Sequence, residues 1–172
     1  RAAVGGHGER LAAPLRARGR VFERGASVIT FEHERPFSQS KTTHSIQAVL
    51  LQPKRKAAGA LEILYTWKGR ALECATSNFF IVKNGAIITP KNGVLSGITR
   101  NVVVDVARQA HPLEERDMTI DEVLSADEAF LTSSFKDVVP VVSVDDKPIG
   151  AGVPGPVTKK IMESFRDFAH RA

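Results

Sequence analysis

Cysteine is nearly missing from this chain: Cys74 is the single one in 172 residues. That excludes a disulfide framework and a four-cysteine zinc site. No apolar run approaches the roughly 20 residues that span a bilayer. No charged, then apolar, then small-residue leader opens the chain. His7, His33, His44, His111 and His170 lack metal-ligand spacing, and there is no Gly-x-Ser-x-Gly elbow for a nucleophilic serine. A reducing, cytoplasmic setting without metal or membrane is the expectation. An initiator Met is also lacking, and a start at Arg1 suggests a fragment of something longer.

What is present is an ordinary globular composition, 42% hydrophobic and 25% charged, enough for one domain with its own core. The net charge of +5 raises the question of nucleic acid. Seven arginines and four acids fall in residues 1–40, so the excess sits largely at the N-terminus. No regular aromatic-basic interleaving of the kind used to stack bases appears there, and a solvated basic leader is the simpler reading.

Residues 1–26, glycine-rich and then Arg/Ala-rich without a period, resemble a linker or the end of a preceding domain. Ser27 to Phe31 is a β-branched run that predicts a strand. Thr43 to Ala58 has helical spacing through Ile46, Val49 and Leu50, with Pro53 predicting a kink or two shorter pieces. Two hairpins follow, one turning at Trp67-Lys68-Gly69 and one at Lys83-Asn84-Gly85. A helix is predicted from about Arg100 to Ala110, with Val102, Val103, Val106 and Ala110 on one face. Thr119 and Glu122 have capping-box spacing. Ala129 to Thr132 and Val138 to Val144 predict strands. A last helix from about Pro156 to His170 carries a stripe of Val157, Ile161, Phe165 and Phe168. Hairpins, helices and strands in this order predict an α+β domain with a mixed or mostly antiparallel sheet.

Singly, the reactive residues say little. Lys41, after Ser38-Gln39-Ser40, reads as a surface lysine. Glu73, by alternation in a strand, could face solvent. Gly97-Ile98-Thr99-Arg100 reads as a glycine turn with Thr99 as N-cap, and Ser133-Ser134 as a loop. Together they make a different set. A glycine turn opening a helix presents backbone N–H groups to a phosphate, and hydroxyls at a strand end can complete the cradle. A strand carboxylate can keep a pyridine nitrogen protonated, and a lysine can form a Schiff base. Those are the parts required by pyridoxal phosphate.

The ordered blocks Lys41-Thr42-Thr43-His44, Glu73 to Phe80, Thr89-Pro90, Leu95 to Arg100, Ala126 to Phe130, Pro140-Val141 and Gly155 to Thr158 carry a resemblance. From about residue 18 onward the chain resembles the class IV aminotransferases of PLP fold type IV. These include branched-chain and D-amino-acid aminotransferases and aminodeoxychorismate lyases. The resemblance implies a large PLP-binding domain over residues 18–172, a mostly antiparallel β pseudo-barrel with flanking helices. Residues 1–17 would then be the end of a largely absent N-terminal small domain. It implies that Lys41 forms the internal aldimine and shuttles the α-proton, and that Glu73 pairs with the pyridine nitrogen. Ile98 and Thr99, through backbone N–H groups and the Thr99 hydroxyl, would bind the phosphate, with Ser134 adding a second hydroxyl. Ser77 and Asn78 would shape the turn beside Glu73. Two positions depart from the family pattern: His44 and Ser45 stand where many members have Asn and Tyr.

The implied activity is transfer of an amino group from an amino acid to a 2-oxo acid, by a cytoplasmic homodimer, with this fragment expected to be poorly active alone. A lyase releasing pyruvate and a non-catalytic domain keeping the fold are the alternatives. Amino donor, acceptor and L or D preference are not encoded in these blocks.

Overall fold

A computed structural model describes residues 19–42 and 45–171; the segment expected to close a preceding domain, 1–17, lies outside the described residues. The strands are β1 (Ala26–Glu32), β2 (Glu62–Trp67), β3 (Arg70–Cys74), β4 (Asn78–Lys83), β5 (Ala86–Thr89), β6 (Leu113–Glu115), β7 (Met118–Thr119), β8 (Glu128–Ser133), β9 (Asp137–Val144) and β10 (Lys147–Pro148). They form one sheet in the order β6-β5-β4-β8-β9-β1-β2-β3-β7, with β10 paired to β9. Pairings of β1 with β2 and β9, and of β5 with β6, are parallel; the others are antiparallel. The helices after β1 are α1 (Ile46–Leu50), α2 (Gln52–Ala57), α3 (Ile98–Arg108), α4 (Ile120–Leu124) and α5 (Pro156–Arg171). The α+β class and the mixed, mostly antiparallel sheet are as expected.

The turns follow from local chemistry. Lys68 and Gly69, then Asn84 and Gly85, all have positive φ, which is the type I′ geometry that Asn-Gly favours and that matches strand twist. Pro53 falls in the first turn of α2, where its missing N–H costs nothing, so the predicted helix divides at Leu51.

The sheet must curl. β3 and β4 are joined by only residues 75–77, yet β2, β1, β9 and β8 separate them along the sheet. The end of β3 and the start of β4 are neighbours only if those strands roll into a barrel-like shell, and a bridge between Cys74 and Ser77 marks where they meet. Alternation then fills both sides. Phe79 and Ile81 of β4 join Leu64, Leu131 and Val141 in one core. Phe80 and Val82 pack with Phe130 against Val103, Ala107 and Ile161 of α3 and α5. Phe80 and Phe130, directly paired in register, stack at 4.7 Å. A third cluster, with Ile29, Ile63 and Leu72, packs beneath Leu51.

Several expectations shift. Residues 19–24, expected to belong to a linker, are helical, and Val21 and Phe22 pack against the cores. α3 begins two residues early and turns Arg100, Val103, Val104 and Ala107 inward, leaving Ala110 exposed beyond its end. In α5, Ile161 is buried as expected but Phe168 is 48% exposed, while Thr158 and Met162 are buried. The stripe tracks the short contact with β9 and α3, and the helix then runs out into solvent. The Thr119 capping box is present: Thr119 Oγ1 accepts the Glu122 N–H at 3.1 Å, and the Glu122 carboxylate accepts the Thr119 N–H at 2.9 Å.

Candidate active site at the mouth of the curled sheet

Glu73 sits at the end of β3, where the roll brings the β3–β4 turn against the loop before α3. Alternation allowed it a solvent-facing position; instead it is 5% exposed, because the curled sheet and the 33–40 loop close over it. Its carboxylate is ion-paired with Arg35, which also donates to Ser38 O at 3.1 Å. Oε2 accepts the Leu95 N–H at 3.0 Å and the Asn78 amide at 3.2 Å. Burial raises its pKa to about 7, against Arg35, the Leu95 N–H and Arg100, which all lower it. The carboxyl thus titrates near neutrality despite its ion pair with Arg35.

Asn78 links this carboxyl to the start of α3. Its amide donates to Leu95 O at 2.7 Å as well as to Glu73. A Cβ on Gly97 would overlap Asn78 Oδ1, so glycine is required for the turn to approach so closely. Gly97 is the N-cap of α3, in extended conformation and without a side-chain cap, and no acid occupies the first turn. The first backbone N–H groups, at Ile98 and Thr99, therefore keep their capacity for an outside acceptor. Thr99 is the second residue of the helix and not its N-cap, as the sequence had suggested. Arg100 anchors this end from below, donating to Pro90 O at 3.0 Å and to Glu115 at 2.9 Å.

Ser133 ends β8 and Ser134 follows in the β8–β9 turn, exposed at the same rim, because β8 pairs with the start of β4. Thr132, opposite Asn78 in register, is 1% exposed and its hydroxyl has no partner. Lys41 follows the 34–40 loop that carries Arg35; it is exposed. Thr43 and His44 lie outside the described residues, and Ser45 is the N-cap of α1. The structure thus joins Glu73, Asn78 and the α3 turn by direct bonds, and brings Ser134 to their rim. Lys41 stands six residues from the ion-paired Arg35, with its side chain in solvent. Arg35 was missed by sequence reasoning; a basic residue next to proline, six residues ahead of Lys41, was the signal to weigh.

Among the described residues no group of His, Cys, Asp and Glu could hold a metal, and no helix is long and apolar enough to cross a membrane.

A buried, near-neutral carboxyl linked to an uncapped helix start, with hydroxyls alongside, is an arrangement for a ligand with a cationic ring and an anionic tail. The family model for amino-transferase class IV matches residues 11–144, and the chain belongs to that family. The D-alanine aminotransferase of Bacillus licheniformis is 32% identical over 158 residues, covering 90% of this chain and 56% of that protein. The branched-chain-amino-acid aminotransferase of Pseudomonas aeruginosa is 42% identical over 103 residues, covering 59% of this chain and 34% of its own. Among solved structures, the branched-chain amino acid aminotransferase of Escherichia coli superposes with a TM-score of 0.79 at 26% identity, covering 86% of this chain and 52% of that one. A second branched-chain enzyme, from T.th. and solved with pyridoxamine 5'-phosphate, superposes with a TM-score of 0.78 at 30% identity. The match covers 85% of this chain and 51% of that one. The chain spans about half the length of the relatives it matches.

Proposed function

We propose that the protein is a pyridoxal-phosphate-dependent aminotransferase that moves an amino group from an amino acid to a 2-oxo acid. The observation that carries this reading is Glu73: a buried carboxyl raised to about 7, bonded through Leu95 and Asn78 to the turn that opens α3.

The residues present fit that cofactor. The donor set at one end is all N–H and O–H: Ile98 and Thr99 backbone, Thr99 and Ser134 hydroxyls, with no carboxylate in the helix's first turn to repel an anion. The orphaned Thr132 hydroxyl adds a further unsatisfied donor on the same sheet face as Asn78. At the other end, Glu73 would hold the proton on the ring nitrogen, and Arg35 would keep Glu73 ionised while it does so. When bound, pyridoxal phosphate supplies an electron sink that stabilises negative charge at the substrate α-carbon. Lys41 would supply the amine that tethers the cofactor and would hold the proton taken from that carbon; an exposed side chain suits a group with both roles. Asn78 orients Glu73, and Gly97 lets the α3 turn approach it.

Phe37, Ile98 and Phe135 are 77%, 79% and 84% exposed, and each lies in one of the segments that build the site. Their exposure supports a mouth that is covered in the working enzyme, and a homodimer in the cytoplasm is the assembly we infer.

The test is amino transfer by the full-length protein with pyridoxal phosphate over a panel of L- and D-amino acids and 2-oxo acids. Transfer dependent on added cofactor is expected. Pyruvate release from aminodeoxychorismate without an acceptor would instead make it a lyase, and no cofactor binding would overturn the reading.

A further inference from the structure

Bonded to the turn that joins Glu73 to Asn78 is a second charged group that the proposed chemistry leaves unused. Glu62 opens β2 on the face it shares with Leu64, so its side chain turns toward the inside of the curled sheet, where it is 4% exposed. It accepts bonds from Thr76, from Ser77 Oγ at 3.0 Å and from Lys136 Nζ at 2.8 Å. Lys136 Nζ also bonds Thr76 Oγ1 at 2.8 Å and Ser77 Oγ at 3.4 Å. Lys136 belongs to the β8–β9 turn. Its backbone N–H bonds Ser133 Oγ at 3.2 Å and Ser133 O at 3.3 Å, and the next residue, Asp137, has φ +55°.

One side chain therefore ties the turn bearing Ser134 to the turn between Glu73 and Asn78. Lys136 is not placed as a phosphate ligand. Its ammonium is engaged by Glu62, Thr76 and Ser77, and its charge is matched by a buried carboxylate.

We propose that the Glu62–Lys136 pair is a positioning clasp that fixes the Ser133–Ser134 turn relative to the Glu73 turn, so that the Ser134 hydroxyl meets the cofactor phosphate at the right separation from the ring-nitrogen site. This rests on the pyridoxal-phosphate reading above. The physical reason is that a hydroxyl on an exposed turn contributes to binding only if it is held in place beforehand. Thr76, Ser77 and a buried carboxylate provide a rigid anchor, and Lys136 reaches them from the β8–β9 turn.

The test compares affinity for pyridoxal phosphate with affinity for pyridoxal, which lacks the phosphate, in the cofactor-free full-length protein. Lys136→Met strands a buried carboxylate and risks misfolding. The double variant Glu62→Gln/Lys136→Met removes both charges while Gln still accepts from Thr76 and Ser77. It should lower the preference for pyridoxal phosphate over pyridoxal by about tenfold, the scale of one hydrogen bond to a charged group. Lys136→Arg alone, which keeps a cation opposite Glu62, should retain most of it. In a Ser134→Ala background the double variant should change the preference little, because the clasp acts through that hydroxyl. Equal losses for both ligands, no loss, or full additivity with Ser134→Ala would overturn the clasp and leave the cofactor reading standing. Wild-type protein that binds neither ligand would overturn both.

Discussion

Replacing Glu73 by Gln in the cofactor-free, full-length protein isolates what burial does to this carboxyl. The side chain is 6% exposed, and burial raises it from an ordinary 4.5 to about 7 even with Arg35 alongside. A folded-state pKa above the unfolded value means the native state binds the proton more tightly. The contribution of Glu73 to stability is therefore fully present below about pH 4.5 and is lost as pH rises through about 7. A shift of that size is worth about 3 kcal/mol across the window. Gln does not titrate, and its carbonyl still accepts the Leu95 N–H. It leaves Arg35 without a counter-charge at every pH, which changes the level of the stability curve and not its slope.

Urea unfolding between about pH 5 and 8 should therefore show wild-type stability falling relative to Glu73→Gln by most of that 3 kcal/mol. Saturating pyridoxal phosphate should flatten the difference in slope, since a protonated ring nitrogen beside Glu73 stabilises the carboxylate. Parallel pH profiles for the two cofactor-free proteins would refute the reasoning: Glu73 would then be an ordinary ionised partner of Arg35, with nothing held ready for a second cation.

Three further outcomes are expected. Lys41→Ala in the full-length protein should abolish amino transfer while leaving the thermal midpoint unchanged, since an exposed loop side chain contributes little packing; borohydride reduction followed by peptide mapping should place the pyridoxyl label on Lys41 in the wild type. Gly97→Ala should lower pyridoxal-phosphate affinity by about tenfold or more, measured by equilibrium dialysis, because the new Cβ displaces the Asn78 amide from its bonds to Glu73 and Leu95. Thr119→Ala should cost about 1 kcal/mol in urea unfolding through loss of the capping box, without changing cofactor affinity.

Much of the fold was legible because its signals are local. Asn84-Gly85 and Lys68-Gly69 need only their own φ angles, Pro53 only its missing N–H, and Thr119 with Glu122 only one another. Where an element's environment is set at a distance, the sequence misled. Phe168 continues the spacing of Ile161 and Phe165, but it stays about half exposed. Residues 19–24 show no period of their own, yet Phe22 is held by two cores formed far along the chain.

The site divides in the same way. Its members were legible as residue types in an ordered set of blocks, but not what holds them, because each supporting bond spans a long stretch of chain. Arg35 reaches Glu73 across 38 residues, and Lys136 reaches Glu62 across 74. No window of sequence contains both partners, and neither pair has a spacing that a helix or strand would explain. Only the curl of the sheet, forced by a link of residues 75–77 between strands on opposite arms, brings them to one rim. Alternation placed Glu73 in doubt for the same reason: its exposure depends on whether the far side of the sheet returns to cover it. Burial then does what the sequence could not announce, turning an ordinary carboxylate into a group that titrates near neutrality. The chemistry proposed for this mouth is thus a consequence of topology acting on a commonplace side chain.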